Sequence, residues 1–178
     1  MLPITIQVSP DGWDEKNEVF VDAKTVDIQL EHSLVSISKW ESKWHKPFLS
    51  KKEKTYDEII YYIKCMTLTQ NVKPEVYDCL SRENIEQINN YINDSQTATT
   101  FSNNKNQGGS REIVTSELIY YWMIQLNIPF ECKKWHLNRL LTLIQVCNVK
   151  NAPPKKMSKK DLYRHHAAVN AARRPKKH

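Results

Sequence analysis

The sequence predicts a mainly α protein. A helical domain spans residues 34–151, a small β-hairpin or arm precedes it over 1–33, and a basic helical arm follows over 152–178. Three observations predict this. Apolar residues alternate with period 2 up to about residue 33 and recur at 3–4 spacing beyond it, the signatures of half-buried strand and amphipathic helix. Helix-start chemistry recurs just ahead of the apolar runs. Charge is segregated as well: between Lys150 and His178 lie ten Lys and Arg and a single acid, Asp161. That stretch carries +9 and the preceding 149 residues −3, which together give the chain's net +6.

Taken in order, Ile4-Thr5-Ile6-Gln7-Val8 alternates, and Ser9-Pro10-Asp11-Gly12 supplies turn chemistry. Val19-Phe20-Val21 and Val26 to Leu30 follow as β-branched segments. Two or three strands alone are marginal, so this element has to pack on the rest of the chain or on a neighbour. Leu34, Ile37, Trp40, Glu41 and Trp44 predict a helix over about Ser33–His45, stopped by Pro47. Thr55 and Glu58 fit a capping box, which opens a helix carrying Ile59, Ile60, Tyr62, Ile63 and Met66. Pro74 suits a first helical turn, and Ser81 caps a helix with Ile85, Ile88, Tyr91 and Ile92 on one face.

Residues 97–110 are polar, Asn-rich and hold two of the three glycines, so they read as a loop. Glu117–Asn127 is apolar nearly all round, which reads as a buried helix. Ile128-Pro129 breaks it, and a long helix is predicted over Glu131–Val149. Ala152-Pro153-Pro154 ends the domain. Ser158 to Asp161 reads as the cap of a last helix that reaches about Arg174, where Pro175 stops it.

Composition narrows the function. Three glycines exclude the Gly-rich phosphate cradles of common nucleotide enzymes. No run approaches the ~18 apolar residues of a membrane span, and the N-terminus lacks the basic and apolar regions of a signal peptide. Cys65, Cys79, Cys132 and Cys147 are widely spaced without a CxxC, and read as reduced core thiols of a cytoplasmic protein. Cys132 and His136 sit at i, i+4 on the predicted helix, the spacing of two metal ligands, but Cys147 lies 11 residues past His136, about 16 Å along a helix. No metal or cofactor is expected. Cys132 beside Lys133 and Lys134 near a helix start would have a lowered thiol pKa, and the carboxylates Glu41, Glu58, Glu83, Glu86, Glu112 and Glu117 fall at caps or solvated faces. Neither amounts to a catalytic motif, so a non-enzymatic protein is expected.

Two features point to binding. Trp40, Trp44 and Phe48 form an i, i+4, i+8 stripe interleaved with Lys39, Lys43 and Lys46. Such interleaving fits a nucleic-acid platform, but it fits equally a helix packed on a core or a protein interface, and packing is the favoured reading. The second feature is the arm, with Lys155, Lys156, Lys159, Lys160, Arg164, Arg173 and Arg174 as its candidate partner-binding residues. A cationic arm engages polyanions or acidic protein faces. Its Ala-rich last helix offers only Leu162, Tyr163 and Val169 as apolar grip, as suits docking in a groove. The frequent Tyr and Trp add the possibility of a homo-oligomer.

Several blocks together carry a resemblance: SLVSISKWESKWHKPFL (33–49), DEIIYYIKCMTL (57–68), TATTF (97–101), EIVTSELIYYWMIQLNIPFECKKWHLNRLLTLIQVCNVKNAPPKKMSK (112–159) and NAARR (170–174). They resemble small proteins encoded in the tail-gene region of tailed bacteriophages and prophages, where assembly chaperones of the tape-measure protein lie near the major tail protein. The resemblance runs from about residue 25 to 174. Its strings are not catalytic signatures and transfer no functional residue. It implies a non-enzymatic protein of tail assembly that binds tape-measure or tail-tube proteins in the host cytoplasm. A structural component of the virion tail or neck is the alternative within that group, and a nucleic-acid-binding protein using the basic arm is the alternative outside it.

Overall fold

A computed structural model describes residues 1–10, 12–14, 19–101, 113–152 and 159–173. The chain is mainly helical with a small antiparallel β element at its N-terminus, as the sequence predicts. It divides into two compact units, Met1–Cys147 and Asn148–His178.

In the first unit, β1 (Leu2–Ser9) pairs antiparallel with β4 (Lys24–Leu30), and β2 (Gly12–Asp14) pairs with β3 (Val19–Val21) between them. The register sets Ile4 opposite Ile28 and Leu2 opposite Leu30. Alternation puts Ile4, Ile6, Ile28 and Leu30 on one buried face. On the other face the Thr5 hydroxyl donates to Asp27 Oδ1 at 2.6 Å. The free side of β4 meets the segment after the second helix: Leu68 N donates to Gln29 O at 2.8 Å and Glu31 N to Met66 O at 2.9 Å. The ribbon is therefore tied to the helical body by backbone as well as by apolar packing.

Local chemistry sets the helix starts. α1 (Leu34–Trp44) begins at Ser33, whose hydroxyl accepts from Ser36 N while Ser36 answers the Ser33 backbone. α2 (Tyr56–Met66) has the predicted Thr55–Glu58 capping box. A 3-10 helix over Pro74–Cys79 leads to α3 (Arg82–Asn93), which Ser81 and Asn84 cap reciprocally. Asn84 Nδ2 also donates to Thr5 O at 3.2 Å, fastening α3 to the outer edge of β1. α4 (Ser116–Gln125) is capped by Thr115, and α5 runs Leu137–Asn151. The core joins the β face to Leu34, Ile37 and Trp40 of α1, Ile63 and Met66 of α2, Ile119 and Met123 of α4, and Leu137 and Leu140 of α5.

Two predicted helices need correction. The helix expected over Glu131–Val149 is interrupted: Phe130–Lys134 is a 3-10 turn, Trp135 is extended, and α5 starts at Leu137. The cause is tertiary. His136 forms a β-bridge with Ser33, and Leu137 N donates to His32 O at 2.7 Å, so this backbone pairs with the β4–α1 junction rather than with its own preceding turn. The helix expected to be buried, α4, has Tyr121 and Ile124 in solvent, 54% and 55% exposed.

In the second unit, α6 spans Lys159–Arg173. Residues 161–168 are exposed, with Leu162 and Tyr163 among them. Among the described residues, no helix is long and apolar enough to cross a membrane.

Candidate functional site

α1 ends at Trp44 because His45 adopts the left-handed conformation (φ 52°) of a C-cap and donates its N–H to Glu41 O at 2.8 Å. Phe48 therefore lies past the helix, and the stripe of Trp40, Trp44 and Phe48 does not share one helical face. The three still cluster, by tertiary packing. Phe48 turns back edge-on to Trp40 (centroids 5.1 Å) and lies 4.1 Å from the Tyr62 ring; Trp44 sits 6.4 Å from Trp40 and edge-on to Tyr61. Trp40 and Phe48 are buried in the chain's own core and Trp44 is half-buried. Trp40 Nε1 donates to Glu58 O at 2.8 Å, whereas the buried Trp44 Nε1 finds no acceptor among the described residues.

Glu41 was expected at a cap or on a solvated face, and so was Glu58. Both are buried. Glu41 Oε1 accepts the Phe48 N–H at 2.7 Å and Oε2 accepts the Ser116 N–H at 2.7 Å, so one carboxylate pins the loop after α1 and the start of α4. Glu58 does serve its capping box, but it also binds Lys46 Nζ at 2.6 Å. That hydrogen bond, ahead of the one from Thr55, holds its carboxyl below the ordinary range. No spacing rule announces Glu41, because both of its donors are backbone groups brought in by tertiary structure.

A second polar cluster lies where β4 passes into α1; of its members the sequence reading singles out His136, and with it Tyr62 and Tyr91 as packed residues, but neither His32 nor Glu31. His32, 2% exposed, pairs its Nδ1 with the Tyr62 hydroxyl and lies edge-on to the His136 ring at 5.0 Å. His136 Nε2 meets Tyr91 O at 3.0 Å, while its buried Nδ1 has no partner among the described residues. The Tyr91 hydroxyl donates to Glu31 Oε1 at 2.8 Å, and the Met1 amino group sits 3.0 Å from Glu31 Oε2. Burial, then the charge of His136, pulls His32 down to about 3. Burial lowers His136 as well, against the raising influence of Tyr91 O, Glu31 and Asp94.

The expected i, i+4 pair of Cys132 and His136 is broken, since Cys132 belongs to the 3-10 turn and His136 to the extended link after it. The Cys132 thiol is raised, not lowered: burial is the largest cause and Glu131 adds to it, outweighing a backbone hydrogen bond and Arg139. Among the described residues, no group of three or more His, Cys, Asp or Glu is placed to hold a metal ion.

On α4, Tyr121 and Ile124 stand one turn apart on the solvent side. Beyond the end of the helix, exposed Phe130 stacks on Tyr120 with centroids 6.4 Å apart. On α6, Arg164 is exposed beside Tyr163. The backbones of Lys159, Lys160 and Arg173 lie within α6, and Lys155, Lys156 and Arg174 fall outside the described residues. Comparison with known protein families, with characterised proteins and with solved structures finds no match for this chain.

Proposed function

We propose that this protein is a non-enzymatic assembly protein of a bacteriophage tail, working by protein–protein contact with a tape-measure or tail-tube partner. The observation that carries the binding role is the solvent-facing apolar side of α4, with Tyr121 and Ile124 exposed and Phe130 nearby. Each of these side chains is about half exposed, so covering the rest contributes about half of the ~1.5–3 kcal/mol of a full burial, a gain that such a face makes only when a partner covers it. The tail assignment is supported by the sequence blocks at 33–49, 57–68 and 112–159. The test is affinity capture of the tagged chain during phage expression, split into nuclease-treated and untreated halves and read by mass spectrometry. Nuclease-resistant recovery of tail proteins is expected, reduced in a Tyr121→Ser, Ile124→Ser variant that keeps the wild-type melting temperature. Undiminished recovery by that variant overturns the role of α4, and recovery without tail proteins overturns the assignment.

The +9 stretch supports a second reading, nucleic-acid binding. Recovery that collapses with nuclease would establish it. Ten phosphate contacts on duplex DNA would then give a log–log salt slope of up to about −9.

A further inference from the structure

A groove of about 330 Å³ runs between α2 and α3, near the lower end of the ~300–1,000 Å³ range of ligand sites. Isoleucines line it from both sides: Ile59 and Ile63 on α2, and Ile85, Ile88 and Ile92 on α3. Ile63 and Ile88 are buried, while Ile59 stands at the rim, 39% exposed. Ile59 and Ile63 are i, i+4 on α2 and Ile85, Ile88 and Ile92 are i, i+3, i+7 on α3, so each helix turns an isoleucine stripe to the groove, a floor suited to the apolar anchors of another helix.

One charged group joins the lining among the described residues, Lys54. Its ammonium lies 4.4 Å from the Phe48 ring centroid and 5.8 Å from that of Trp40. The nearby carboxylate of Glu58 is already committed to Lys46 Nζ and Thr55 N, and among the described residues Lys54 is in no ion pair. Burial holds the Lys54 pKa below its ordinary value, with Glu58 only partly opposing the effect. A cation stripped of part of its water beside an apolar groove is stabilised by any carboxylate delivered there, because both charges then share the low-dielectric site.

We propose that the α2–α3 groove binds a carboxylate-bearing aliphatic helix of a partner protein, leucine-type side chains filling the isoleucine floor while an acidic side chain meets Lys54. This goes beyond the α4 reading above by adding a second binding surface and stating its partner's chemistry. The test is titration of the full chain with a synthetic acetylated, amidated helix carrying a leucine stripe flanked by glutamates, followed by isoleucine-methyl NMR. Saturable shifts are expected at Ile59, Ile85 and Ile92. Affinity should fall about tenfold in Lys54→Met, and equally when glutamine replaces glutamate in the peptide, a comparison that needs no variant protein. Ile59→Glu, at the exposed rim, should abolish binding. Absence of saturable binding, shifts centred on Ile124, or equal affinity for the two peptides would each overturn the proposal. The titration does not involve α4 and the capture experiment does not need the peptide, so each can fail without the other.

Discussion

Acid should loosen this fold well above the pH at which carboxylates begin to protonate, and His32 sets the size of the effect. The side chain is 2% exposed, with its pKa pulled down to about 3 from an unfolded value of about 6.5. The folded state resists the proton and the unfolded state takes it, so stability is full above about pH 6.5 and declines as the pH falls below it. Between pH 7.5 and 5, linkage gives a loss of about 2 kcal/mol from His32 alone. His136, 5.0 Å away and also lowered, adds to the loss in the same direction. The groups facing the pair are the Tyr62 hydroxyl from α2, Tyr91 O and Asp94 at the end of α3, and Glu31 with the Met1 amino group. Glu31 and Asp94 favour a proton on His136 and the amino group opposes it, so they trim the second contribution without reversing it. Urea unfolding followed by tryptophan fluorescence across that pH window measures the slope. His32→Gln keeps a polar partner for Tyr62 but cannot titrate, and should flatten most of the dependence. A variant that retained the wild-type slope between pH 7.5 and 5 would refute the assignment.

Two stability contrasts follow from the buried polar contacts. Glu41→Ala strips the acceptors from the Phe48 and Ser116 amides, at ~1–3 kcal/mol for each amide left unsatisfied. Chemical denaturation should therefore show a loss of about 2–6 kcal/mol, and a loss under ~1 kcal/mol would mean that water replaces the carboxylate. Trp40→Phe removes the donor to Glu58 O and leaves a void, costing about 2–3 kcal/mol, whereas Trp44→Phe deletes an indole N–H with no acceptor among the described residues and should cost less. Thermal melts of the two variants decide this, and equal losses would count against the hydrogen bond.

What was legible in the sequence was local. Ser33, Thr55 and Ser81 mark helix starts because each capping bond closes within three residues, so its chemistry is written in adjacent letters. The β1 face was legible for the same reason, its period fixing which isoleucines turn inward. The stretch before α5 was not, because Trp135 and His136 carry no signal for the Ser33 bridge, about a hundred residues away, that stops the helix. Nor could Glu31, Glu41 and His32 be read as buried. Their partners are a tyrosine hydroxyl, an amino group, or backbone amides supplied by distant segments. The aromatic stripe was half legible: the three rings do meet, but Phe48 arrives through a left-handed turn at His45 and not along a helix face.

The failure at α4 shows how its orientation must be set. A helix apolar all round has no periodicity to choose which residues enter the core, since Ile124 and Met123 offer similar area. Something else must fix its rotation if Met123 is to be buried and Ile124 left out. Its first turn supplies that constraint: Ser116 N is held by Glu41 from α1, and Thr115 caps the Leu118 amide. A buried carboxylate carried by α1 thus does for α4 what amphipathicity does for α1 and α3. It lets the chain keep an apolar face toward solvent without surrendering a defined packing beneath it.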